Sequence, residues 1–205
     1  MCYGSRMDVR RYAARLEALP HPLRVAVGAA CVERILPIFE AMTDDDPRCL
    51  ALRRAVDLAW SYAECGRVGA DELGAVRDSV LDTGLDAAKR ATRDEEGDGE
   101  DWFERGRLGT VEFVHSAVSS AVEVLLMALD EGDSMRADRI ADAAKYAREA
   151  VFLFEKYDDK TTNWALAEDQ WQEDLLGRAG QTREPAAVRA WRGTCVWREC
   201  LDQDW

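Results

Sequence analysis

Two histidines, six cysteines and 40 acidic side chains are the chemical inventory of this 205-residue chain. Glu112-Phe113-Val114-His115 puts a carboxylate and an imidazole three residues apart on a helix, the ligand step of carboxylate-bridged di-metal bundles. Such a centre needs a second Glu-x-x-His pair and two further carboxylates. The other histidine, His21, follows Pro20 and has no such neighbour, so His115 reads as a core or helix-surface histidine. Cys195 and Cys200 stand five apart, without the Cys-x-x-Cys spacing of a zinc site. The remaining cysteines (Cys2, Cys31, Cys49 and Cys65) read mostly as small buried apolar residues.

The run Arg93-Asp94-Glu95-Glu96-Gly97-Asp98-Gly99-Glu100-Asp101 packs six acids and two glycines into nine residues. Set on the EF-hand template, Asp94, Glu96 and Asp98 take the first, third and fifth ligand positions and Gly99 supplies the turn. The twelfth position, where the bidentate Glu belongs, is Arg105, and Glu104 falls one residue early. Without its clamp the run reads as a solvated loop. Trp102-Phe103 follows it directly, and two large aromatics beside six carboxylates suit either a partner-binding patch or a tuck onto the fold.

A His-Glu-x-x-His helix, a Gly-x-Ser-x-Gly elbow, a Walker loop and a dinucleotide fingerprint are all missing from the sequence, and no cofactor is expected. Glu33 and Arg34 interrupt an apolar stretch. If that stretch packs on the following helix, they would pair with Arg53 or Arg54 and with Asp57. A buried ion network is the plain reading of Glu33, Arg34 and Asp57, and a polar ligand pocket the sharper one.

The elements that position these residues read as helices almost throughout. Apolar residues recur at helical spacing and β-branched alternation is nearly absent. The pattern predicts helices from Asp8 to Leu19, Leu23 to about Met42, Pro47 to about Cys65 and Ala70 to about Ala91. It continues from about Thr110 to Asp130, Met135 to Lys156, Thr161 or Thr162 to Ala179, and Pro185 to about Leu201. Leu23–Met42 is apolar on nearly every side, which places it in the middle of a bundle, with a kink expected at Pro37. Trp164, Trp171 and Leu175 form one stripe, and Val188, Trp191 and Cys195 another, both read as core. The expected fold is all-α: one bundle of seven or eight helices over residues 1–205, with an exposed acidic loop near 93–101.

Composition narrows the function. An apolar share of 47% is too high for a disordered chain, and a formal net charge of −13 opposes binding to a polyanion. No run of about 18 uncharged apolar residues occurs, so no membrane span is expected, and the N-terminus lacks the apolar stretch of a signal peptide. A cytoplasmic protein with a basic partner is the expectation.

Several stretches carry a resemblance. Leu16-Glu17-x-Leu19, Cys31-Val32-Glu33-Arg34-Ile35-Leu36-Pro37 and Arg53-Arg54-x-x-Asp57-Leu58-x-Trp60 resemble the YjaG-like family of small helical bacterial proteins. Ser116 to Gly132, and Glu168-x-x-Trp171-Gln172 through Leu175-Leu176, look like the same family, so the similarity spans roughly Arg11 to Leu176. Cys31 to Glu40 is also similar to a helical class of immunity proteins from bacterial polymorphic toxin systems. The first resemblance implies an all-helical fold with no catalytic residues to carry over; the second implies a protein that binds and blocks a cognate toxin. The expected function is therefore binding rather than catalysis. Asp94, Glu95, Glu96, Asp98, Glu100 and Asp101 would steer a basic toxin, and Trp102 or Phe103 would anchor it. The alternatives are a YjaG-like scaffold or homodimer, and an enzyme that gathers Glu33, Arg34 and Asp57 around a small ligand.

Overall fold

The computed structural model describes residues 8–42, 47–95, 102–130, 133–157 and 164–191. Eight α-helices and no strand occur among them: α1 (Val9–Glu17), α2 (His21–Met42), α3 (Pro47–Cys65), α4 (Ala70–Glu95), α5 (Trp102–Asp130), α6 (Asp133–Tyr157), α7 (Trp164–Ala179) and α8 (Pro185–Ala190). The chain is an all-α bundle, and no helix among the described residues is long and apolar enough to cross a membrane.

Local signals set most boundaries. Asp8 caps α1 by accepting the Arg11 amide at 3.2 Å, satisfying one of the donors that a helix start leaves open. At the other end of α1, Arg24 donates to the carbonyls of Leu19 and Glu17 at 2.8 and 3.0 Å, placing a cation against the negative end of the helix. Gly66 ends α3 with φ +72°, a left-handed conformation that costs a glycine nothing. Pro185 opens α8 at the first turn, where its missing N–H is not needed.

Two boundaries differ from the sequence expectation. Helix α4 continues past Ala91 to Glu95, so Asp94 and Glu95 belong to its last turn rather than to a loop. Helix α5 begins at Trp102, well before Thr110. Gly106 and Gly109 do not stop it, because a helical glycine costs only about 1 kcal/mol relative to alanine. The rest of the acidic run (Glu96, Asp98, Glu100 and Asp101) lies outside the described residues, as do Cys195 and the C-terminal part of the last expected helix.

Helix α2 is the axis of the bundle. It packs against α3, α5, α6, α7 and α8, and every residue from Val25 to Val32 is buried. The helix runs on through Pro37 to Met42. Small residues let its neighbours close in: Ala26, Ala29 and Ala30 on α2 and Ala137, Ala141, Ala144 and Ala147 on α6 are all buried. The approach is close at Gly28, where a Cβ would stand 2.9 Å from Leu125 Cδ1 and 3.1 Å from Ile140 Cγ2. At the edge, α4 applies Leu73, Val76 and Val80 to the core while packing on α3 and α5.

Replacing Gly28 by Val would drive a branched side chain into α5 and α6. The expected loss is about 2–3 kcal/mol of stability, the upper range for an overpacked core, read from urea unfolding. A loss below about 0.5 kcal/mol would show that the helices do not meet this closely.

Candidate functional site

Glu33 and Arg34 are consecutive on α2, so their side chains leave the helix about 100° apart and meet different neighbours. Glu33 Oε2 accepts the indole N–H of Trp60, on α3, at 2.9 Å. Arg34 turns to α7: its Nε donates to Glu168 Oε2 at 3.2 Å, and its guanidinium lies 3.9 Å from the centroid of the Trp171 ring. Asp57 is exposed on α3. The expected pairing of Glu33 and Arg34 with Arg53, Arg54 and Asp57 is thus corrected. Where α2 and α3 do exchange charge, Arg53 meets Glu40, one turn or more further along.

The Arg34 contact is an enclosed charged pair, with side-chain exposures of 4% for Arg34 and 0% for Glu168. A buried carboxylate keeps its charge only if its oxygens are satisfied. Gln172, one turn along α7, donates its Nε2 to Glu168 Oε1 at 3.0 Å and also to the Ala144 carbonyl of α6 at 3.1 Å. Tyr12 from α1 and Cys31, one turn before Arg34 on α2, close the other side and are buried. Burial pushes the Cys31 thiol well up, with the Glu168 charge adding to the effect, so it stays protonated and unreactive. Burial likewise raises the Tyr12 phenol.

Desolvation also raises the Glu168 carboxyl above its ordinary range, opposed by the Arg34 charge and the Gln172 hydrogen bond. Asp169, next along α7, is raised by desolvation and opposed by Arg148 of α6, whose Nε lies 2.5 Å from its Oδ1. A third pair joins Arg15 of α1 to Glu173. Glu155 of α6 accepts the Ala165 amide at 3.2 Å, satisfying an open donor at the start of α7. Helix α7 is therefore tied by its acids to arginines from three helices, and this geometry serves docking.

The remaining sequence candidates separate. His115 is fully buried, 3.2 Å from Ser119 Oγ through Nε2, with its ring 4.7 Å from that of Phe39. It is a core histidine, and among the described residues no group of three or more His, Cys, Asp or Glu side chains could hold a metal ion. Trp164 and Leu175 are buried as expected; Trp171 and Trp191 are only partly buried, and Trp171 carries the Arg34 contact. Cys31, Cys49 and Cys65 are free thiols; Cys2 and Cys200 lie outside the described residues. Asp94 and Glu95 end α4, and Trp102 and Phe103 begin α5, two helices that pack on each other. Glu168 and Gln172 are the residues that sequence reasoning missed. Their signal was a polar pair one turn apart, in register with Trp164, Leu175 and Ala179 on a stripe that should be apolar. No family model matches this chain, and no curated protein or solved structure does so either.

The raised Glu168 and Asp169 carboxyls fix the sign of a pH effect. The folded protein holds these protons more tightly than the unfolded chain does. The stability they contribute is complete below about pH 4, the unfolded range, and is lost as pH rises through their folded values. Relative to the wild type, Glu168→Gln should therefore gain stability between pH 4 and 7.5 in paired urea titrations. A difference independent of pH would mean that the carboxyl is not shifted.

Proposed function

We propose that the protein works by binding, as an immunity or antitoxin-like module that neutralises a basic bacterial toxin by covering it. The observation that carries this reading is the outer face of α4. Leu73, Val76 and Val80 face the core, while Asp71, Glu72, Asp78 and Asp82 are exposed on the same helix. The helix then ends in Asp94 and Glu95, at the head of the acidic run that continues to Asp101. From Asp71 to Asp82 the exposed acids run along about 17 Å of the helix, at about 1.5 Å per residue.

Two further features support the reading. The net charge of −13 would draw in a basic partner and steer it, worth up to about 10²–10³ in association rate at low salt. The charges that could have formed a reaction centre are engaged with the fold instead: Glu33 with Trp60, and Arg34 with Glu168. Trp102 and Phe103, at the start of α5, stand next in the chain to the acidic run and are the anchors of the proposed contact. The resemblance of Cys31–Glu40 to helical immunity proteins points the same way. A cytoplasmic setting belongs to this reading, because the toxin would be met inside the cell that makes it.

The test is affinity capture from the native host, followed by association kinetics with the captured protein. The variant carries Asp94→Asn, Glu95→Gln, Glu96→Gln, Asp98→Asn, Glu100→Gln and Asp101→Asn. A basic partner should associate more slowly with this variant, by about tenfold or more at low salt, and with a flatter salt dependence. Unchanged rates and salt slope would remove the acidic run from the function. Capture of acidic proteins alone, or only of further copies of this chain, would contradict the binding reading and favour a scaffold or homodimer.

A further inference from the structure

Helix α7 meets the bundle through a face that is polar at its centre. Its inner stripe is apolar only at the two ends, Trp164 and Ala165 at one and Leu175, Leu176 and Ala179 at the other. The centre of the stripe is Glu168 and Gln172, both buried. Three of its acids meet arginines from three separate helices: Glu168 with Arg34 of α2, Asp169 with Arg148 of α6, and Glu173 with Arg15 of α1.

Docking such a face is costly. The Arg34–Glu168 pair gives up its hydration, a penalty that its mutual attraction only partly returns. Gln172 spends both amide hydrogens on Glu168 and Ala144, and its Oε1 is buried without a partner among the described residues. Across the interface the Tyr12 hydroxyl is also buried, with only the Cys31 thiol, a weak partner, beside it. Water would satisfy all of these groups at once if α7 lifted. By contrast, the Val25–Val32 stretch of α2 gains nothing by exposure, since every residue in it is buried and none carries a polar side chain other than the Cys31 thiol.

We propose that α7 is a charge-latched strap, which opens from the bundle in a local step and uncovers Arg34, Tyr12 and Cys31 ahead of global unfolding. Arg34–Glu168 is the latch. It fixes where α7 sits, because only one register brings Glu168 to Arg34, Asp169 to Arg148 and Glu173 to Arg15 together. It also keeps the opening free energy low. The apolar anchors at each end, including the Trp164 ring stacked on Phe154 at 5.5 Å, set the closed state.

Hydrogen exchange on the full chain tests this, read by mass spectrometry together with the rate of thiol labelling at Cys31. Amides of residues 164–179 should exchange on the order of tenfold faster than those of 25–36, with a weaker dependence on urea, and Cys31 should label at the α7 rate. Arg34→Met combined with Glu168→Leu should narrow that gap by about tenfold, since an apolar pair has no hydration to regain. Two results would overturn the proposal. One is α7 and α2 exchanging together with the same urea dependence in the wild type. The other is a double variant whose α7 exchanges as fast as before, or faster. Should the double variant not fold, Arg34→Lys decides: losing the planar guanidinium should speed α7 exchange and Cys31 labelling while α2 holds, and unchanged rates would contradict the latch.

Discussion

A guanidinium and a carboxylate sealed inside a helical bundle govern much of what this fold can do. Arg34 and Glu168 lie far apart in sequence but within hydrogen-bond reach in space. Taking both out of water is expensive, and the expense is tolerable only while each faces the other. That condition ties α2 to α7 in one register. Gln172 supports the pair from within α7, and Trp171 covers the guanidinium from the side. Removing either partner leaves a buried charge without the counter-charge that faces it, a far larger loss than the pair's own net contribution.

The rest of the bundle makes that seal possible. Alanines along α2 and α6, and Gly28 where α2 meets α5 and α6, let backbones approach closely enough to exclude water. Around this dense centre the charge is sorted by position. Inside, Glu168 of α7 is matched to Arg34; outside, α4 shows Asp71, Glu72, Asp78 and Asp82 to solvent.

Much of the architecture was legible from residues alone. The apolar periodicity of Val114, Val118, Val122, Leu125 and Leu129 is local information, and the core side of α5 follows it. Capping at Asp8, the stop at Gly66 and the proline start of α8 are equally local. Helix α2 was readable as central because its hydrophobicity has no preferred side. The ends of α4 and α5 were less legible, since glycines and a charge run weaken helix propensity without abolishing it. The partner of Arg34 was not legible at all. Residues near in sequence, Arg53, Arg54 and Asp57, offered charges on the adjoining helix, whereas the true partner sits on α7 and depends on how three other helices pack. Periodicity shows which side of a helix is buried, but not which helix that side meets. The polar break at Glu168 and Gln172 was visible, and its meaning required the packing.

The most direct test of the Arg34–Glu168 constraint is its coupling free energy, from a double-mutant cycle in urea with Arg34→Met, Glu168→Leu and the two combined. The structure requires each single replacement to cost about 3–5 kcal/mol and the double to be at least as stable as the wild type, so that the single losses fall far from additivity. Single losses that simply add, within about 0.5 kcal/mol, would mean that these two side chains do not hold α7 to α2.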